Sequence, residues 1–349
     1  MLARLLSQMI FMKQLFVLLI LLANLCSCSG DSQDLPETNL NPAVDNQGWS
    51  VPIGLINGSD RPFALAKDPV LFPIKNIEFI SDDLLVAVVN MGGETRVYPY
   101  HYLSKFESVN DQIGDISYSM TYCPITQSAL VLNRDFRNVN FTLRASGYLL
   151  NDNVILWDEA SESYWSQMLV ECIKGPYTGQ YNETFNFVEM PWKTVRENFP
   201  DAMVFSNTSI SVNNVSATSS KTDIPKGDLV YGIIGQEVGR NNKMFIYHFD
   251  DFEKGTVLYT PNISGEKSIV VGNKNYHYIT SYINDSTVSF EAVQDQFPVV
   301  MKDSDGNTYN VFGKATDGPR KGHQLQSHTG FFALLWAFEK FYDDVTFVE

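Results

Sequence analysis

Three sets of residues in this chain have types and spacings that could do chemistry. The first is Leu25-Cys26-Ser27-Cys28 near the N-terminus. A thiol preceded by a small residue, with Leu three positions before it, suits transfer of a diacylglyceryl group to sulfur and cleavage at the small residue. Cys28 fits better than Cys26, because Ser27 is small where Leu25 is not. The second is Cys123, followed by Pro124. A lone thiol becomes a nucleophile when a nearby base or a helix N-terminus lowers its pKa. Pro124 suits the first position of a short helix, which would put Cys123 at its cap. His101, beside Tyr98-Pro99, is a candidate to share a cleft with Cys123. The third set is Asp158, Ser163, Trp165, Ser166 and Gln167. A carboxylate, hydroxyls, an indole and an amide could line a polar ligand site. The competing reading is a strand-turn-strand whose Asp and Ser bond their own backbone, with Trp165 in the core.

The elements that must hold these groups begin with an export signal. Arg4 and Lys13 precede the apolar run Leu15–Leu25, a positive region followed by a hydrophobic one. The run is shorter than the roughly 20 residues a membrane span needs. It therefore reads as a signal peptide over residues 1–27, ending in what looks like a bacterial lipobox, with Cys28 as the lipid attachment. The expected localisation is export, with lipid anchorage to the bacterial cell envelope at the outer membrane or cell surface. Residues 28–50, rich in Asp, Asn, Ser and Pro, read as a flexible tether.

Loss of Arg4 and Lys13 with the leader takes the net charge from −15 to −17. An acidic surface argues against nucleic-acid binding, which neutralises phosphates with Lys and Arg. The expected partner is the membrane, through the lipid, together with a small molecule or protein that the residues do not identify. Cys28, Cys123 and Cys172 remain after processing, which excludes a disulfide-stapled scaffold and leaves a Cys123–Cys172 bridge open. The five histidines form no H-x-x-x-H or H-E-x-x-H spacing. No metal site and no cofactor is expected. There is no nucleophile elbow, phosphate loop or dinucleotide fingerprint.

Between residues 51 and 349 the chain repeats its own pattern. Leu84–Val88 and Leu229–Ile233 are apolar strand signals. Asp158–Ser163 and Asp303–Thr308 are polar turns. Gly175-Pro176-Tyr177-Thr178-Gly179 and Gly318-Pro319-Arg320-Lys321-Gly322 follow. Each is succeeded by a segment that reads as a helix, Trp192–Phe199 and Phe331–Phe341, and then by a strand, Ala202–Phe205 and Val345–Val348. The offsets between paired features stay at 142–145 residues in unchanged order, which points to a degenerate duplication. Runs such as Ser117–Tyr122, Ala129–Leu132, Val154–Trp157, Met244–His248, Ser268–Val271 and His277–Tyr282 predict strands. The expected fold is α+β and mainly β. Two similar lobes, residues 51–206 and 227–349, would each be a twisted antiparallel sheet with a short covering helix. The Ser-, Thr- and Asn-rich stretch 207–226 would link them.

Several motifs together resemble a bacterial and archaeal family known as the domain of unknown function DUF3179. They are Thr121-Tyr122-Cys123-Pro124-Ile125-Thr126, Ser146-Gly147-Tyr148-Leu149, Asp158 with Ser163-Tyr164-Trp165-Ser166-Gln167, and Gly175-Pro176 with Gly179. Gly93, Arg96, Tyr98-Pro99 and Val109-Asn110-Asp111 upstream, and Trp192 and Phe199-Pro200 downstream, continue the likeness. It covers roughly Pro69 to Phe205 well and the second half faintly. The resemblance implies no established reaction. Some members carry Cys or selenocysteine three residues after the first Cys, which implies thiol redox or metal chemistry; here that position is Thr126. Many members place His before a Glu; here Phe106 precedes Glu107. Both departures remove ligands. The expected function is a membrane-anchored exported lipoprotein acting as a ligand-binding or assembly module. The alternatives are an envelope thiol-dependent redox or hydrolytic enzyme using Cys123, and a metal-binding protein using His101 and Cys123.

Overall fold

The computed structural model describes residues 44–78, 80–206, 229–235, 243–284 and 286–348. The expected leader, Cys28, most of the expected tether and the expected linker 207–226 lie outside the described residues. Residues 42–349 cluster as one compact unit. The described part of the tether is already packed at its end. Trp49 is buried, bridges to Lys174 and lies under the Lys174 ammonium, and the Ser50 hydroxyl donates to the Ile173 carbonyl at 3.2 Å.

The fold is mainly β, with few and short helices. The strand Leu85–Met91 reads LVAVVNM, an apolar run with no alternation. Such a run needs cover on both faces, and this strand sits inside a five-stranded sheet. The order is Val188–Pro191, Leu85–Met91, Glu94–Pro99, Met203–Phe205, Leu71–Pro73. A second sheet centres on Ile116–Cys123, between Ser108–Ile113 and Ser128–Asn133. A third runs Leu143–Leu150, Asn153–Asp158, Ser163–Ser166, Glu171–Lys174. Ile116–Cys123 alternates polar and apolar residues, yet Ser117, Ser119 and Thr121 are as buried as Tyr118, Met120 and Tyr122. The polar face meets other hydrogen-bonding groups inside the protein: Ser119 bonds Ser108 at 2.8 Å, and Thr121 donates to the Leu130 carbonyl at 2.8 Å.

The second half orders its strands in the same way. Gly330–Leu334, Leu229–Ile234, Lys243–Tyr247 and Asp344–Phe347 make a sheet. Its last strand pairs in parallel, as Met203–Phe205 does with Glu94–Pro99. Val257–Tyr259, Glu266–Asn273 and Tyr278–Ile283 form the next sheet. Phe290–Ala292, Val299–Asp303, Thr308–Asn310 and Ala315–Asp317 form the last. Each half thus has several mixed or antiparallel sheets, where one antiparallel sheet was expected.

Helix Trp192–Asn198 forms where the spacing predicts, after Pro191, and buries Trp192, Thr194 and Val195. The segment Phe331–Phe341 behaves differently from its expectation. Gly330–Leu334 is a strand and only Leu335–Phe341 is helical. An apolar run of this kind fits both periods, and the strand Leu229–Ile234 takes residues 330–334 as its antiparallel partner. Pro124 starts no helix either. Residues 124–127 are the turn of a hairpin, with Gln127 at φ +55°, so Pro124 places no helix N-terminus at Cys123.

The two halves share most of one core, which runs from Trp49 to Tyr342. Their contacts are reciprocal: Val188–Pro191 packs near Tyr278–Ile283, and Gly330–Leu334 near Ser128–Asn133. Hydrogen bonds cross between them, including Leu334 N–H to the Thr126 carbonyl at 2.9 Å and Thr184 Oγ1 to Thr329 Oγ1 at 2.7 Å.

Candidate functional site

The motif residues lie in the interior of the first half. Gln167 is fully buried and completely partnered. Its Oε1 accepts from Ser128 Oγ at 2.7 Å and Asn153 Nδ2 at 2.9 Å, and its Nε2 donates to Thr121 Oγ1 at 2.9 Å. Thr126 joins this network through Ser128 and Asn153. Asp158 is buried at a strand end and accepts backbone N–H groups from Thr142 at 2.8 Å and Ser161 at 2.9 Å. That is a carboxylate closing its own turn. Trp165 packs against Phe136, Phe141 and Tyr177 at ring distances of 5.3, 5.4 and 6.3 Å. Ser163 is buried, with its hydroxyl beside the Cys172 thiol on the neighbouring strand.

Cys123 and Cys172 are both free thiols and both buried. Burial raises the Cys123 pKa and pushes that of Cys172 up to about 12, which keeps both thiols protonated at neutral pH. The Cys123 sulfur contacts the Asp152 carbonyl at 3.7 Å. His101 lies in the short helix Tyr100–Leu103, with its ring against Tyr102 at 3.8 Å. Burial, with Lys105 nearby, lowers its pKa to about 4. Among the described residues, no group of three or more His, Cys, Asp or Glu side chains is placed to hold a metal ion. The upstream motif residues also serve the fold: Asp111 accepts from Tyr98, Tyr118 and Arg96. The Asn110 amide clamps the backbone of Leu143 from both sides, at 2.7 and 2.9 Å.

A broad cleft lies elsewhere. A cleft of about 1080 Å³ opens between the two halves, and none of Cys123, Asp158, Ser163, Trp165, Gln167 or His101 lines it. Its walls are two segments built alike. In the first half Gly175 and Gly179 turn the chain at φ +106° and +83°, Gly179 N–H bonds the Cys172 carbonyl, and Glu171 bridges to Tyr181. In the second half Gly318 and Gly322 turn it at +94° and +90°, Gly322 N–H bonds the Ala315 carbonyl, and Lys314 bridges to Gln324. Both turns require glycine for space as well. A Cβ on Gly175 would stand 2.8 Å from the Glu162 carbonyl, and one on Gly318 2.7 Å from the Gly306 carbonyl. Asn182 N–H then donates to the Val170 carbonyl at 2.9 Å, and Leu325 N–H to the Gly313 carbonyl at 3.0 Å.

The walls differ at two matched positions. Asn182 is 8% exposed and both ends of its carboxamide lack a hydrogen-bond partner; its counterpart is the apolar Leu325. An unpaired buried polar group costs about 1–3 kcal/mol. Val170 holds φ +55°, where a β-branched side chain is strained; its counterpart Gly313 holds +76° without that cost. Both departures fall on the first-half wall of the cleft. His328, 6% exposed on the opposite wall, bonds Ser268 Oγ through Nε2 at 2.8 Å. Burial lowers its pKa to about 4, so the ring is neutral. The signal that could have found Asn182 lay beside the two G-P-x-x-G turns: the third residue after the last Gly is Asn in the first and Leu in the second.

No curated protein and no solved structure is similar enough to count as a match. One family model, described as protein of unknown function (DUF3179), matches residues 65–345, through both halves and both walls of the cleft. The chain belongs to the DUF3179 family, whose function the family description leaves open.

Proposed function

We propose that this chain is an exported lipoprotein, held at the cell envelope through Cys28, whose folded body binds a ligand in the cleft between its halves. The observation that carries the reading is Asn182. A carboxamide left without partners in the wall of this cleft costs stability, and a ligand supplying a donor and an acceptor recovers it. The strained Val170 beside it adds to the case, since backbone strain concentrates at functional positions.

The leader and the Leu25–Cys28 motif support the anchored location. The matched strand orders, the matched G-P-x-x-G turns and the reciprocal packing support an internal duplication, with 51–206 and 227–349 as its copies. The alternative of an envelope enzyme acting through Cys123 has less support. Its thiol is sealed from solvent with a raised pKa, and Pro124 starts no helix beside it.

Hydrogen exchange on the full chain in detergent, with and without a small-molecule extract of the cell envelope, tests the cleft. Slowed exchange at residues 181–186 and 324–329 is expected. Protection absent there, or confined to other segments, would overturn the cleft reading. Intact mass of the envelope-extracted protein tests the anchor: a diacylglyceryl mass on a chain starting at Cys28 is expected, and an unmodified Cys28 sinks it.

A further inference from the structure

We infer that the cleft takes a neutral, polyhydroxylated ligand, an oligosaccharide, with Asn182 as a principal recognition group. This rests on the cleft being the binding site. The polar part of the lining consists mostly of groups that both donate and accept: the carboxamides of Asn90, Asn182, Asn186, Gln324 and Gln326, with hydroxyls among them. Sugar hydroxyls likewise donate and accept at one atom, so an amide edge can meet two neighbouring hydroxyls at once. Among the described residues of the lining, Lys314 is the one Lys and Glu183 the one acidic residue, and Glu183 already accepts from Asn133 at 3.1 Å. A phosphate or polycarboxylate ligand would call for a cluster of Arg and Lys, and among the described residues of the lining there is no Arg.

Phe185 supplies apolar surface for the C–H face of a sugar ring. At about 1080 Å³ the cleft is slightly larger than the roughly 300–1,000 Å³ typical of small-molecule sites. That size suits several linked rings better than one. A peptide adding itself as a strand is disfavoured. The edge strand Thr184–Phe185 has two residues, and Thr184 is tied to Thr329 across the cleft.

Calorimetry on the full chain in detergent tests this, with maltotetraose, cellotetraose, mannotetraose and chitotetraose as neutral probes and tetragalacturonate as the acidic one. At least one neutral tetrasaccharide is expected to bind. Asn182→Leu should weaken it by about ten-fold or more, and Lys314→Gln by less than about three-fold. Leu fits the matched wall position as Leu325, and the isosteric Asn182→Asp, which should also weaken binding, is a second variant if Leu fails to fold. Binding of tetragalacturonate alone, lost in Lys314→Gln, would overturn the inference. So would the absence of binding by every neutral probe. If the envelope extract protects the cleft in hydrogen exchange while no neutral sugar binds, the ligand class is wrong and the cleft reading stands. If neither occurs, both fall.

Discussion

Gln167 and Asn182 are both buried carboxamides in the first half of the chain, and they meet opposite surroundings. Gln167 has four side-chain and backbone partners around it, drawn from Thr121, Ser128 and Asn153. Asn182 has none on its side chain. The first belongs to the densest polar motif of the chain and does not line the cleft between the halves; the second belongs to no motif named above and does line it. Recurrent polar residues within a β protein can mark an internal network that specifies one packing. A polar residue left unsatisfied at a cleft marks a place where the fold gives up stability for binding.

Substitutions can break this comparison from either side. The largest effect is expected at Gln167. Gln167→Leu removes one group and strands Thr121, Ser128 and Asn153 in the interior, so urea unfolding should show a loss of roughly 3–5 kcal/mol. A loss below about 1 kcal/mol would mean the network is not holding the fold. A similar loss, above about 3 kcal/mol, is expected for Gly313→Val. The matched position already carries Val170, but a Cβ at Gly313 would stand 2.4 Å from the Tyr282 ring, which its bond to the Val311 carbonyl holds in place. Full tolerance of Val there would remove the contrast between the two walls.

A smaller effect separates the interior from the cleft by pH. Burial pushes the Glu107 carboxyl up to about 7 from its ordinary 4.5. As pH rises from 4.5 to 7 the unfolded chain releases a proton that the folded chain keeps, so this group lowers stability across that window. His101 and His328, lowered from 6.5 to about 4, act with the opposite sign: stability is lost as pH falls from 6.5 toward 4. The contributions oppose one another below 6.5, and from there to 7 Glu107 acts alone. Glu107→Gln should match the parent at pH 4 and exceed it by roughly 2–3 kcal/mol above pH 7 in denaturant titrations. A difference that does not change with pH would contradict the assignment. In the same interior, Cys123 should react with an alkylating reagent only after denaturation; rapid labelling of the folded chain would reopen the thiol reading.

The strands were largely legible because β-branched and aromatic runs have few other solutions, as at Val154–Trp157 and Ser268–Val271. The repeated G-P-x-x-G turns were legible for a steric reason, since a Cβ would meet backbone at Gly175 and Gly318. The boundary inside Phe331–Phe341 was not, because an uninterrupted apolar run satisfies both the strand and the helix period. Nor could local pattern tell that the polar face of Ile116–Cys123 is covered by the sheet carrying Gln167. Asn182 was unreadable for the same reason: only the packed structure shows which buried amide finds partners. The comparison of the residues after the two G-P-x-x-G turns, Asn182 against Leu325, was the one clue available beforehand.

The most direct test is the stability of Asn182→Leu without ligand, measured by urea unfolding beside the parent chain. If Asn182 is held unsatisfied for a ligand, the variant should be more stable by about 1–2 kcal/mol while losing cleft protection in hydrogen exchange. A variant that is less stable than the parent, or that keeps its protection, would make Asn182 a structural residue and contradict the cleft as the site of binding.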